Sequence, residues 1–179
     1  STGGEPRSPA DWQHIHRFVF LRWAQQQRSN SSFTVDAAFS KIVHCGSVPC
    51  DRVVTEGHFP VGKHVALGNQ LKAKYVPAVD GNTFLGRMLR LLSTHQLVFY
   101  AGGPFIEWYS DRLTPWMHYV PIESDFSNFN ERIEWAVAND QKAEEITQNA
   151  NLLAEKYLRV EDMNCYAALA LLEYSSLVE

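Results

Sequence analysis

Residues 74–103 read KYVPAVDGNTFLGRMLRLLSTHQLVFYAGG, and the order of apolar runs and turns in them predicts the fold class. Its first part, residues 74–79, is a short apolar run that predicts a strand, although Pro77 argues against a fully hydrogen-bonded central position in a sheet. Residues 84–92 predict a helix, and residues 96–100 predict a second strand. A strand, a helix and a strand in this order are typical of a βαβ unit, so the sequence predicts a parallel sheet.

The chain before this stretch predicts one helix, one strand and a long loop. Ser8 and Pro9 fit an N-cap residue followed by a proline in the first helical position, and the apolar pattern of that helix ends at residues 25–27. A strand is expected around residues 39–43. Residues 46–68 are interrupted by prolines and glycines, so they are expected to be mostly loop.

The chain after this stretch predicts a third strand, residues 118–122, and three helices. Asn128 can cap the first of these helices. The core-facing residues predicted from helical spacing are Phe129, Ile133 and Val137, then Ile146, Leu153 and Tyr157, and finally Tyr166, Leu169, Leu172 and Leu177. We therefore predict one α/β domain over residues 1–179 with a largely parallel sheet.

Composition and charge are those of an ordinary folded protein. The 179 residues are 45% hydrophobic and 12% aromatic, which fits a domain with its own core. Twenty acidic and 16 basic residues give a net charge of −4, which supplies no electrostatic basis for binding nucleic acid or an anionic membrane. No apolar run in the sequence is long enough to cross a bilayer.

The cysteines and one glycosylation motif indicate an oxidising compartment. Cys45 and Cys50 flank a short turn and could close a small disulfide loop, which leaves Cys165 over. Residues 30–32, Asn-Ser-Ser, form an N-glycosylation motif. The chain begins at Ser1 without an initiator methionine or a leader, so we expect that a leader was removed or that the chain was cut from a longer one. The expected location is the lumen of the endoplasmic reticulum or Golgi, or outside the cell.

The turn that follows the first strand of the βαβ unit is the candidate ligand site, because ligands of open α/β sheets lie at the carboxyl ends of strands. Gly81 permits a tight turn and a close backbone approach, and Asn82 or Thr83 could begin the following helix. The unpaired N–H groups of that helix end favour a phosphate, and Arg87 could add bidentate hydrogen bonds. The alternative is an ordinary capped turn with a surface arginine.

Two motifs of nucleotide and metal chemistry are incomplete. Gly81, Gly86 and Arg87 have part of the spacing of a P-loop, but the lysine and the following serine or threonine are missing. No Asp-x-Asp pair is present to hold a metal-bound diphosphate.

The histidines give no strong indication of a site. His14 and His16 lie two apart on a predicted helix and face different sides, so they form no ligand pair. Asp80 and His118 could act as an acid–base pair, but no spacing joins them, and structural roles are expected for both. A zinc site is not expected, because the spacing between the cysteines and the next histidines fits no standard motif; the residues are Cys45, Cys50, His58 and His64.

Several short strings follow one another in an order that is specific when they are taken together. They are Val79-Asp80-Gly81-Asn82, Gly86-Arg87, Arg90-Leu91-Leu92, Leu97-Val98-Phe99, Glu107-Trp108-Tyr109, Pro115-Trp116-Met117-His118-Tyr119-Val120-Pro121, Arg132-Ile133-Glu134-Trp135-Ala136 and Lys156-Tyr157-Leu158-Arg159. Together they resemble the capsule-associated and Rumi-type protein O-glucosyltransferases. The resemblance covers about residues 70–178 and extends more faintly to Ser1.

The resemblance implies a single Rossmann-like domain with a parallel sheet, the C-terminal, donor-binding lobe of a two-lobed (GT-B) inverting glycosyltransferase. Such an enzyme needs no metal and no cofactor besides its UDP-sugar donor. Its UDP-contacting turn matches Asn82, Thr83, Phe84, Leu85, Gly86 and Arg87. The family's catalytic base, an aspartate of the first lobe, has no counterpart here, so no catalytic residue is assigned. In the animal enzymes the cysteine that matches Cys165 pairs with one in the first lobe.

Two functional hypotheses follow from these residues. The first is a glycosyltransferase fragment that binds a UDP-sugar, glucose or xylose, for transfer to a protein or polysaccharide hydroxyl, and that has little activity without the missing N-terminal lobe. The second is a non-catalytic remnant or binding module that keeps the fold. In the second case, the face that meets the other lobe should be polar, whereas a large apolar patch would indicate a lost partner. A helical interaction protein built on the last three helices is a third, blander alternative.

Overall fold

The computed structural model describes residues 14–27, 33–42, 49–80, 85–103 and 105–178. Its helices are α1 (His16–Gln26), α2 (Cys50–Gly57), α3 (Leu67–Gln70), α4 (Met88–Leu92), α5 (Phe129–Ala138), α6 (Asp140–Tyr157) and α7 (Val160–Ser176). Its strands are β1 (Tyr75–Ala78), β2 (Leu97–Tyr100) and β3 (Val120–Pro121). Within these described ranges, no helix combines the length and the apolar character needed to cross a membrane.

The three strands form an open parallel sheet in the order β1-β2-β3. This confirms the predicted α/β fold with a parallel sheet. β1 lies at an edge, where Pro77 faces Phe99 of β2 in the register. A proline cannot donate a backbone hydrogen bond. In an edge strand this loss is tolerated, because only one side of the strand needs to pair with a neighbouring strand. The edge position expected from Pro77 is therefore confirmed.

The core lies on both faces of β2, whose first three residues are buried. Phe99 has no exposed surface and packs its ring against Tyr75 and Phe129. Val98, on the opposite face of the strand, packs in a second cluster with side chains of α4 and α6. Helices on the two faces of the sheet thus bury a strand that is apolar along its whole length.

The region before the sheet differs from the sequence prediction. Residues 39–43 were expected to form a strand, but in the described part Phe39 makes only an isolated parallel bridge to Val61. The predicted loop over residues 46–68 contains α2, which starts after Pro49. A proline just before a helix is compatible with its first turn, and the buried Val53 anchors α2 to an aromatic cluster. Proline here marks a helix start rather than a loop.

Helix α1 begins at His16, with Ile15 in an extended N-cap conformation. The predicted start at Ser8 lies outside the described residues. The end of the helix, at Gln26, agrees with the predicted end of the apolar pattern. Phe18 and Leu21 are buried on this helix, together with Trp23 and Ala24.

Two helix predictions need correction at the C-terminal end. Val137 was expected in the core, but it is 55% exposed, and Ala136 is the fully buried residue there. Helix α7 buries none of its residues, although Leu169 and Leu172 were expected to face a core. The prediction for α7 was wrong because this helix is apolar on more than one face. Helical spacing alone therefore could not show whether a second surface covers it.

Candidate functional site

The carboxyl ends of the three strands bring a group of polar residues to one edge of the sheet. Asp80 follows β1, Gly103 follows β2, and Ser124 follows β3. The first turn of α1 lies across this edge and contributes His16 and Arg17. This is the position at which open parallel sheets bind ligands.

Arg17 ties α1 to the end of β1. Its Nε donates a hydrogen bond of 2.8 Å to the backbone carbonyl of Asp80. Burial lowers the pKa of the Arg17 guanidinium, the nearby charge of Arg87 lowers it further, and Asp80 opposes both effects. Residues that lie 70 positions apart in the sequence, Arg17 and Arg87, therefore act on each other electrostatically at this edge.

Arg87 lies on the other side of the β1 end. Its Nη2 donates a hydrogen bond of 3.3 Å to the Pro77 carbonyl. The side chain keeps contact with solvent, but protein atoms surround it closely enough that desolvation lowers the pKa of its guanidinium. Arg87 also lines an open cleft of about 390 Å³, whose other lining residues are His64, Val65, Gln70, Arg90 and Leu91.

His16 and Asp80 form a loose pair, with 4.0 Å between Nδ1 of the histidine and Oδ2 of the carboxylate. Burial lowers the pKa of His16, while Asp80 and the backbone of Ser124 partly oppose that shift. The Nε2 atom of His16 is buried and has no hydrogen-bond partner, and the ring packs against Phe126. These surroundings favour the neutral imidazole.

Asp80 is held in a crowded position. Burial raises the pKa of its carboxyl group, and the charge of Arg17, together with that of His16 when the imidazole is protonated, opposes that shift. A Cβ atom placed on Gly103 would lie 2.5 Å from Oδ2 of Asp80. Only glycine therefore allows the backbone after β2 to approach the carboxylate so closely.

The predicted site residues are only partly brought together. Asn82, Thr83 and Phe84 lie outside the described residues. Leu85 is buried in the core below α4, and Gly86 is in an exposed turn. Arg87 is the one described member of the set whose side chain reaches both the sheet edge and the cleft.

The helix-end argument for this site is wrong. The helix predicted over residues 84–92 begins at Met88, so neither Asn82 nor Thr83 starts it, and α4 has five residues. Arg87 occupies the N-cap position instead of lying one turn inside. Leu85 packs in the core and residues 86–87 form a turn, so the described residues before Met88 are not helical. An anion here would be bound by side chains more than by the dipole of so short a helix.

His16 and Arg17 lie at the candidate site, and the sequence reasoning missed both of them. Nothing in local spacing relates them to residue 80, because the contact depends on how α1 crosses the sheet. The one available sequence signal was Arg17 itself, a basic residue in the first turn of the helix that precedes the βαβ unit. From the sequence alone, His16 was considered only together with His14, and no ligand pair was expected. In the structure, the ionisable neighbour of His16 is Asp80.

Two other expectations concern His118 and the cysteines. Nδ1 of His118 accepts a hydrogen bond of 3.0 Å from the Thr114 backbone N–H, which is the structural role expected of this histidine. Cys50 is disulfide-bonded, so its sulfur is not available as a thiolate ligand. The expected partner, Cys45, lies outside the described residues. Cys165 is a free and exposed thiol on α7.

The arrangement is suited to binding an anion. Two guanidinium groups are fixed by the carbonyls at the end of β1, and one carboxylate lies between α1 and the Gly103 backbone. Planar guanidinium groups of fixed orientation recognise phosphate and carboxylate groups through paired hydrogen bonds. Burial also raises the pKa of Glu107, whose side chain shares a small cavity with Asp80.

Known proteins similar to this chain include protein O-glucosyltransferases. Human protein O-glucosyltransferase 1 is 34% identical over 116 residues, which is 65% of this chain and 30% of the human protein. Protein O-glucosyltransferase 2 of Danio rerio is 32% identical over 118 residues, or 66% of this chain and 24% of that protein. Human protein O-glucosyltransferase 3 is 34% identical over 104 residues, which is 58% of this chain and 20% of that protein.

The matched segment thus spans about a third or less of these relatives. The sequence model of glycosyl transferase family 90 matches residues 29–179, which include the whole sheet, Arg87 and the cleft beside it. A match over most of the chain, together with a parallel sheet that carries its basic site at the carboxyl edge, shows that this protein belongs to glycosyl transferase family 90.

Proposed function

We propose that this chain is the donor-binding part of a glycosyltransferase that transfers glucose or xylose from a UDP-sugar to a hydroxyl group of a protein or polysaccharide. The observation that carries the proposal is the position of Arg87, at the carboxyl end of β1 and beside an open cleft. The relatives named protein O-glucosyltransferase support a protein acceptor. The cleft offers concave space for a nucleotide next to a fixed guanidinium group.

In this reaction an acceptor hydroxyl attacks the anomeric carbon of the sugar and the bond from that carbon to UDP breaks. The hydroxyl proton goes to a general base, and negative charge develops on the leaving diphosphate. Arg87 would stabilise that charge through hydrogen bonds that strengthen as the bond breaks. We assign no base within this chain, and we propose that another lobe of the enzyme supplies it.

Helix α7 favours this partner over a free-standing remnant. Leu169 is 57% exposed, Leu171 is 69% exposed and Leu172 is 66% exposed, and none of the residues of α7 is buried. A helix with apolar residues on several faces is normally covered by protein. We propose that further polypeptide of the enzyme, the N-terminal lobe, covers α7, whereas a self-sufficient remnant would expose a polar surface there.

The disulfide at Cys50 supports a secretory location. Disulfide bonds persist in the lumen of the endoplasmic reticulum, in the Golgi and outside the cell, and they are rare in the reducing cytosol. We therefore propose that the protein functions in the secretory pathway or is secreted.

Calorimetric titration of the purified chain with UDP and with uridine tests the donor site. We expect UDP to bind more tightly than uridine, and Arg87→Ala to weaken UDP by about 10-fold or more, because a charge-assisted contact to phosphate is lost. Arg52→Ala is the control, since Arg52 is an exposed arginine whose partner is Glu56 on α2. Equal affinity of the folded wild-type chain for UDP and uridine would contradict the proposal.

A further inference from the structure

We propose that Arg17 is a second phosphate-binding residue of the donor site and that it acts together with Arg87 on the diphosphate. This inference rests on the proposed function. It extends the site from the turn after β1 to helix α1. None of the predicted site residues lies on that helix.

The geometry places both guanidinium groups at the same end of the same strand. Arg17 donates to the carbonyl of Asp80, and Arg87 donates to the carbonyl of Pro77, three residues earlier. Each group is thus oriented by a backbone atom, which moves less than a side chain. A hydrogen bond through Nε fixes the plane of the Arg17 guanidinium.

The positive charges of Arg17 and Arg87 repel each other at this edge. Arg87 disfavours the protonated form of Arg17, and Asp80 favours it. His16 adds no positive charge while it is neutral, and burial keeps its pKa low. A diphosphate that contacts both guanidinium groups would replace their mutual repulsion with two attractions.

The chemical character of arginine matters for this role. A diphosphate presents oxygens on two phosphorus atoms, and two planar forks with fixed orientation can contact them at once. A lysine at position 17 would keep the charge but could not donate both to the Asp80 carbonyl and in a bidentate manner to phosphate. Arg17→Lys therefore separates the contribution of geometry from that of charge.

The alternative role of Arg17 is structural, because its hydrogen bond also joins α1 to the sheet. If that is its only role, an Arg17 variant is less stable than wild type and loses affinity for UDP and for uridine to the same extent. A phosphate-binding role would affect ligands that carry phosphate and would leave the nucleoside unaffected. The ratio of UDP affinity to uridine affinity distinguishes these two roles.

The experiment compares wild type, Arg17→Lys, Arg17→Gln and Arg87→Lys in the full chain by titration with UDP, uridine and inorganic pyrophosphate. Arg22→Lys is the matched control, since Arg22 is an exposed arginine of the same helix whose guanidinium lies 6.0 Å from the ring centre of Phe59. Thermal unfolding of every variant measures the structural contribution. We expect Arg17→Lys and Arg17→Gln to weaken UDP and pyrophosphate by about 10-fold to 100-fold and to leave uridine unchanged.

The outcomes separate this inference from the proposed function. If Arg87→Lys weakens UDP but both Arg17 variants bind it as wild type does, the role of Arg17 is refuted and the donor site stands. If the Arg17 variants lose UDP and uridine equally, together with thermal stability, Arg17 is only a structural tie. If the folded wild type does not prefer UDP to uridine, both the inference and the proposed function fail.

Discussion

Gly103→Ala tests the closest approach in the site. The new Cβ would lie 2.5 Å from Oδ2 of Asp80, 3.2 Å from its Cγ and 3.4 Å from its Oδ1. The whole residue cannot move aside easily, because Arg17 holds its backbone carbonyl. The carboxylate must therefore rotate away from its place 4.0 Å from His16, or the backbone after β2 must shift.

We expect this change to lower the free energy of unfolding by about 1–3 kcal/mol, the usual cost of forcing an added methyl group into occupied space. For a chain of this length, that corresponds to a fall in Tm of about 2–4 °C for each kcal/mol. Since Asp80 raises the pKa of His16, retreat of the carboxylate should lower that pKa further. Chemical denaturation measures the first effect, and NMR titration of the histidine signals measures the second.

Two other glycines provide controls for this prediction. Gly102 has a positive φ of 72°, but an added Cβ there would meet no atom within 4 Å, so Gly102→Ala should cost about 1–2 kcal/mol from backbone strain and leave His16 unchanged. Gly68 has neither constraint, and Gly68→Ala should be neutral or stabilising by up to about 1 kcal/mol. A Gly103→Ala protein with wild-type stability and an unchanged His16 titration would refute the reasoning.

Three further predictions concern the core, the pH dependence and the exposed helix. Gln96 is 4% exposed and donates hydrogen bonds of 3.0 and 2.7 Å to the backbone carbonyls of Gln70 and Ala73, so Gln96→Leu should lower the free energy of unfolding by about 1–3 kcal/mol, measured by urea denaturation against an exposed glutamine variant. The folded pKa of His16 lies below its unfolded value near 6.5, so the unfolded state binds more protons and stability is lost as pH falls through and below 6.5; His16→Gln should show a smaller loss between about pH 7 and 5, and equal slopes would contradict this. The double variant Leu169→Gln/Leu172→Gln should reduce binding of a hydrophobic dye and concentration-dependent association while the Tm stays within about 2 °C, because both side chains are largely exposed; a large fall in Tm would show that these two leucines pack on this domain.

The sequence was informative where local rules and tertiary packing agree. Residues 96–100 form an unbroken apolar run, and β2 is the buried central strand that such a run predicts. Pro77 correctly indicated an edge strand because its missing N–H is a property of the residue itself. Arg87 could be selected from its place after a glycine-containing turn, without knowledge of the surrounding fold.

The sequence was uninformative where a contact depends on distant parts of the chain. Arg17 reaches residue 80 only because α1 crosses the sheet edge, and no local spacing encodes that crossing. The start of α4 at Met88 follows from tertiary packing, since Leu85 lies in the core and residues 86–87 form a turn. The pattern of α7 is that of a buried helix, but burial needs a second surface, which a periodic pattern does not describe.

The two edge strands of the sheet share one residue type whose consequence concerns aggregation. Pro77 lies in β1 and Pro121 lies in β3, so in the described sheet each outer strand lacks a backbone N–H within its short length. A strand of another molecule could not extend the ladder past these positions without losing hydrogen bonds. At high concentration this chain should therefore self-associate through the apolar side chains of its helices. The expected products are reversible, dye-binding oligomers, in preference to cross-β fibrils.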